Sequence, residues 1–204
     1  ALHRGTKGAL GLAWIDVSTG EYACAQLDGE DSVRSELGRI GAREVLVSEE
    51  FSDREFLDGL MAELDLRWTE VPKRSFGLAS AKEELHALFG VRQLSGLGLD
   101  GYTEGVQAAG AIIDYLRSSH IDALGHIRRL RPYHRSSFMT LDENARRNLE
   151  IFKTLSDGKR KGSLIGLVDR STTSMGSRRI RRWLSSPLLD PAAINDRLDA
   201  VDVL

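Results

Sequence analysis

ALGLAWIDVSTGEYACAQL, residues 9–27, decides how the first half of this 204-residue chain folds. Residues 9–17 are apolar enough for a buried strand, and Glu21 to Leu27 alternates as a second strand should. Ser18-Thr19-Gly20 joins them, and its glycine can take the positive φ of a tight hairpin, so an antiparallel pair is the economical reading. Outward from this hairpin, Glu30 to Ile40 carries Val33, Leu37 and Ile40 on one helical face, and Glu44 to Ser48 (EVLVS) is a short strand. Phe51 to Leu64 reads as a second helix with Phe56, Leu60 and Leu64 at four-residue spacing, and Leu66 to Val71 as a strand stopped by Pro72. Ser80 to Phe89 is a short helix. After a glycine-rich piece, Tyr102, Val106, Ala109, Ile113 and Leu116 trace one face of a long one. Strands interleaved with helices predict a three-layer α/β domain over residues 1–125.

At His126 the pattern changes. Residues 126–133 (HIRRLRPY) and 137–141 (SFMTL) read as extended, and the remainder as helical. Asp142 can cap a helix carrying Ala145, Leu149 and Phe152, and Thr173 or Ser174 one carrying Met175, Ile180, Trp183 and Leu184. Asp190-Pro191 opens a last helix bearing Ile194, Leu198 and Val201. The expected class is therefore α/β plus all-α, with an α/β domain at 1–125, a helical one at 126–204 and the boundary near 120–136. Charge flips at the same place: residues 1–125 hold 12 Lys+Arg against 21 Asp+Glu, residues 126–204 hold 16 against 9, and the balances of −9 and +7 give the net −2. The chain begins without methionine and runs out at Val203-Leu204 in mid-pattern, so it reads as part of something longer whose helical half is incomplete. Frayed C-terminal helices, or self-association through Trp183, Leu188, Ile194 and Leu198, are the expected consequence.

Several chemistries are excluded or weakened by what the sequence holds. No apolar run is long enough to span a bilayer and no leader pattern opens the chain, so a cytoplasmic protein is expected. Cys24, the single cysteine, reads as a buried hydrophobe. The five histidines (His3, His86, His120, His126, His134) form no metal-ligand spacing, and Gly158-Lys159-Arg160 lacks the upstream glycine and following hydroxyl of a phosphate loop, so neither metal nor nucleotide cofactor is expected here. Asp16, at a strand end before a Ser-Thr-Gly turn, stands where RNase H-like nucleases place their first carboxylate. Such enzymes need several converging carboxylates for two Mg²⁺ ions, and Glu44, Glu70, Glu104 and Asp114 fall in no recognisable motif, so turn stabilisation is the stronger reading. Basic residues cluster at Arg128, Arg129, Arg131 and Arg135, at Lys159 to Lys161, and at Arg178, Arg179, Arg181 and Arg182. The last set makes a positive stripe beside Trp183 and Leu184, suited to pairing between domains or, less strongly, to nucleic-acid contact, since no aromatic residues are interleaved for base stacking.

Asp142-Glu143-Asn144-Ala145-Arg146-Arg147-Asn148-Leu149-Glu150-Ile151 resembles the opening of the core domain in MutS proteins, whose hallmark is R-N-L-E-I. Leu167-Val168-Asp169, Thr173, Met175-Gly176-Ser177-Arg178, Trp183-Leu184, Pro187-Leu188, Asp190, Ile194, Arg197 and Asp199-Ala200-Val201 continue the likeness in order and spacing. Ser171 stands where the family often has threonine. The opening LAWIDVSTGEY, the strand EVLVS and the helix ending at Tyr115-Leu116 are similar to the family's connector domain. The resemblance implies an RNase H-like connector followed by the start of a helical core, serving to dock MutL and to relay state. Mismatch reading, ATP and Mg²⁺, contact with mismatched duplex DNA and homodimerisation are implied for other parts of such proteins, so no catalytic, metal or cofactor residue is carried over. An RNase H-like nuclease using Asp16 and an autonomous nucleic-acid-binding module are the competing readings. The arginines at 128, 129, 178, 179, 181 and 182 are the candidates for nucleic-acid or interdomain contact.

Overall fold

The hairpin read from residues 9–27 forms the centre of an antiparallel meander of β1 (Leu2–Arg4), β2 (Leu10–Asp16) and β3 (Glu21–Leu27) in the computed structural model, which describes residues 1–203 apart from 7, 65, 92 and 120–123. Leu12 pairs with both Leu2 and Ala25, and all three side chains are buried. Gly20 has φ 71°, the conformation the turn requires of it.

The elements that follow take the expected order. α1 (Glu30–Ile40) opens with Glu30 and Asp31 at its positive end and stops at Gly41. β4 (Glu44–Ser48), α2 (Arg54–Leu64) and β5 (Arg67–Val71) form a β-α-β unit in which the two strands run parallel, with β4 next to β1. α3 (Leu78–Phe89) packs on α4 (Thr103–Ser118), and α4 lies across β2 and β3, burying Val106, Ala109, Ile113 and Leu116. That approach is close: a Cβ on Gly11 would stand 2.0 Å from the Glu104 carbonyl carbon, so only glycine lets the helix ride on the strand backbone.

The first compact unit runs to Tyr133, past residue 125, because β6 (Arg131–Pro132) adds to β3 in parallel and Tyr133 N–H donates to the Cys24 carbonyl at 2.8 Å. The Arg39 guanidinium, ion-paired to buried Glu36 at 2.5 Å, lies 4.4 Å from the Tyr133 ring and 5.2 Å from the Trp14 ring, which ties this segment to α1. Residues 120–123, at the start of the expected boundary, lie outside the described residues.

Residues 134–204 form the second unit, which contains α5 (Glu143–Asn148), α6 (Leu164–Val168), α7 (Ser174–Ser185) and α8 (Pro191–Asp202). Side chains of Asp142, Ser163, Thr173 and Asp190 cap the four N-termini, three of them at positions singled out in the sequence. The helix expected through Phe152 ends instead at Asn148. Glu150 enters the left-handed region at φ 47°, which turns Ile151 inward to 5% exposure, and residues 152–163 are irregular rather than helical. Of the stretch 137–141 read as extended, Ser137 instead closes a 3-10 turn over Arg135–Ser137, and the extended Phe138 bridges Leu188 while Met139 N–H donates to the Pro187 carbonyl at 2.8 Å.

Candidate interaction surface

Asp16 is committed to its turn. Its Oδ1 accepts from Ser18 N–H at 2.9 Å, from the Ser18 hydroxyl at 2.5 Å and from Thr19 N–H at 3.3 Å, the pattern by which a short carboxylate closes a chain reversal. It ends the second strand of the sheet, and among the described residues no group of three or more His, Cys, Asp or Glu is placed to hold a metal ion. His3 stacks on Phe76 at 5.2 Å, and its burial lowers its pKa, whereas His120 lies outside the described residues. Burial pushes the Cys24 thiol up to about 12, so it stays protonated at neutral pH and acts as a small hydrophobe. Lys159 belongs to a local loop: its N–H donates to Thr154 Oγ1 at 3.1 Å and its ammonium pairs with Asp157 at 2.9 Å. Among the described residues no helix is long and apolar enough to cross a membrane.

The basic candidates divide between the two units. Arg128 and Arg129 are exposed in the first, just before buried Leu130, while Arg178, Arg179, Arg181 and Arg182 all sit on α7 in the second. Of the α7 set, Arg178, Arg179 and Arg181 are exposed and Arg182 is half-buried. Arg181 lies 4.4 Å from the Phe152 ring, and Arg179 lies 5.4 Å from the Trp183 ring. Arg197 of α8 reaches the same indole at 4.9 Å. Burial there, and secondarily the nearby Arg179 charge, lower the Arg197 pKa from its ordinary value. This two-arginine stack on one tryptophan joins two helices, so single-helix spacing could not display it.

Asp169 holds α7 in place. Between α6 and α7 its carboxylate accepts from Ser171 N–H at 3.1 Å, from the Ser171 and Ser177 hydroxyls at 2.5 Å each, and from Arg160. The two hydroxyls, Ser171 before Ser177, are the main cause of a pKa held well below the usual carboxylate range. Ser177 lies within α7, so this one carboxylate fixes the start of the arginine-bearing helix against the 160 loop.

The arrangement of an α/β unit followed by a capped helical unit agrees with the sequence families it matches: residues 1–128 match MutS domain II and residues 144–204 match MutS domain III. The chain belongs to the MutS family. It is similar to the DNA mismatch repair protein MutS of Symbiobacterium thermophilum, 38% identical over 202 residues that cover 98% of this chain and 23% of that relative. The MutS of Syntrophomonas wolfei is 39% identical over 205 residues (95% of this chain, 23% of the relative), and that of Desulfatibacillum aliphaticivorans 33% over 197 (96% and 22%). This chain thus spans a little under a quarter of the length of these curated MutS relatives. Within the MutS domain III match lie all four α7 arginines, Trp183, Asp169 and Arg197, whereas Arg128 ends the domain II match and Arg129 falls just outside it.

Proposed function

We propose that this chain is the connector and first part of the core of a mismatch-repair MutS, joining the part that reads mismatched duplex DNA to the part that hydrolyses ATP. On this reading it offers a docking surface to MutL and relays state between those parts, in a homodimeric cytoplasmic protein that works at the nucleoid. ATP with Mg²⁺ and mismatch contact belong to residues outside this chain. The observation that carries the reading is the pair of adjacent matches, domain II over 1–128 and domain III over 144–204, in the order the connector and core require. An RNase H-like connector is supported by an antiparallel β1-β2-β3 meander, extended by β6, with a separate parallel β4–β5 pair whose β4 lies near β1. The turn-bound carboxylate of Asp16 favours a connector over a nuclease, because its Oδ1 serves its own turn and, among the described residues, no group of three or more His, Cys, Asp or Glu is placed to hold a metal ion. The direct test mixes the whole chain with purified MutL from the same genome in sedimentation velocity and, in parallel, incubates it with DNA and RNA in Mg²⁺. Saturable co-sedimentation without cleavage is the expected result. Cleavage that disappears in Asp16→Asn would overturn the reading, and absence of co-sedimentation would remove MutL docking from it.

A further inference from the structure

We propose that Tyr133 is the releasable end of a strap, residues 127–133, and that Trp14, Glu36 and Arg39 form the clasp that holds it. The strap buries Ile127, Leu130 and Tyr133 and leaves Arg128, Arg129 and Arg131 exposed between them. Ile127 and Leu130 belong to the main apolar core of the first unit, and Tyr133 does not. Tyr133 is held by a different set of contacts. Its ring meets the Arg39 guanidinium at 4.4 Å and the Trp14 ring edge to face at 5.2 Å, and its hydroxyl donates to Glu36 Oε1 at 3.5 Å. Its N–H donates to the Cys24 carbonyl at 2.8 Å, and its carbonyl accepts from the Tyr102 hydroxyl at 3.4 Å.

This grip is made of terms that are small one at a time. β6 offers two residues to β3, one of them Pro132 with no N–H to give, so the ladder is too short to hold the segment by itself. Glu36 and Arg39 are ion-paired at 2.5 Å with side chains 5% and 11% exposed, and such a pair recovers little more than the cost of drying its two charges. What the pair supplies is direction. It holds the guanidinium against both the Trp14 and Tyr133 rings, so the clasp closes only when the ring, hydroxyl and backbone of Tyr133 are all in place. Interactions formed together are lost together, which makes the strap a two-state element whose end opens while Ile127 and Leu130 stay buried. Its position gives the opening a use. Tyr133 is the last residue of the first compact unit and lies between the domain II match ending at 128 and the domain III match beginning at 144. A pull on His134 therefore acts on Tyr133 before any other residue of the first unit, and through Arg39 it reaches α1.

The inference rests on contacts within the first unit and survives a failure of MutL docking, because its test uses the chain alone. That test is amide exchange of the whole chain resolved by NMR, with the residue 133 N–H as reporter. Glu36→Met/Arg39→Met removes both charges at similar volume, so that no lone charge is left buried. Exchange at residue 133 should then rise by roughly tenfold or more while the amides of β2 and α4 keep their rates. Tyr133→Leu acts from the strap side with the Glu36–Arg39 pair in place, and should speed the same amide likewise. Tyr133→Phe, which keeps a ring on Arg39, should stay close to the parent rate. Where the double variant loses protection throughout the unit, Tyr133→Leu decides. An unchanged rate at residue 133 in that variant overturns the proposal, since the backbone bond alone would then hold the strap. So does an equal rise at α4, which would mean that Tyr133 opens only with the whole unit.

Discussion

Asp16 and Asp169 show how one short carboxylate organises backbone, and they differ in how far their partners lie along the chain. The Asp16 carboxylate accepts from Ser18 and Thr19, two and three places on, and removing it in Asp16→Ala should lower stability by about 1 kcal/mol, as a urea titration followed by far-UV circular dichroism would measure. Asp169 gathers Arg160 from nine residues before it and Ser177 from eight after it. Its folded pKa lies below the unfolded value of roughly 3.9, so the stability it contributes is complete above that value and is lost as pH falls through the lower folded one. The melting-temperature gap between Asp169→Ala and the parent should therefore be full at pH 7 and shrink below about pH 4; a gap that is constant with pH refutes the assignment. The local carboxylate was legible in the sequence, since a Ser-Thr-Gly turn after a strand asks for it. The nonlocal one was not, because nothing in a linear pattern says that residues 160, 169 and 177 converge, and the same is true of Arg179, Trp183 and Arg197.

The helices and strands whose apolar spacing is long emerged where the sequence put them, because burial of a periodic face is a signal integrated over many residues. α1 spans the same residues 30–40 as read, and α4 buries the face of Val106, Ala109, Ile113 and Leu116. β1 was missed because three residues give no alternation to read, and its formation depends on a partner strand, with Leu2 opposite Leu12. α5 was read too long because Leu149 and Phe152 continue its spacing, while the left-handed turn at Glu150 is set by burying Ile151. How α4 meets the sheet yields the prediction at this scale. In Gly11→Val the new Cβ would be driven into the Glu104 backbone, which cannot swing aside as a side chain can. The substitution should cost about 3 kcal/mol or more, read as a lower urea midpoint for the near-ultraviolet signal of the first unit, whereas Gly59→Ala, with open space at its Cβ, should leave that midpoint unchanged or raise it.

Across the whole chain, burial is distributed very unevenly. Among the described residues, the buried hydrophobic ones run from Leu2 to Tyr133 with Ile151 and Ile165 alone beyond, while the exposed large ones, from Met139 to Val203, all fall in the second unit. Hydrophobic burial is the main favourable term in folding, so the second unit must rest more heavily on its caps, on the Asp169 hub and on the 137–139 pairing with 187–189. α8 has no buried residue at all, and a helix of 12 residues without a packed face is marginal in water. Fraying of α8 rather than self-association is accordingly the outcome expected of the apolar excess noted in the sequence, since two copies of this unit would bring their arginines together. In hydrogen exchange followed by mass spectrometry, the amides of α4 and β2 should be the slowest in the chain, those of α7 intermediate through the Asp169 tether, and those of α8 within roughly tenfold of unstructured peptide. Protection of α8 equal to that of α4 in the chain alone would overturn this ordering and show that its exposed face is covered in solution.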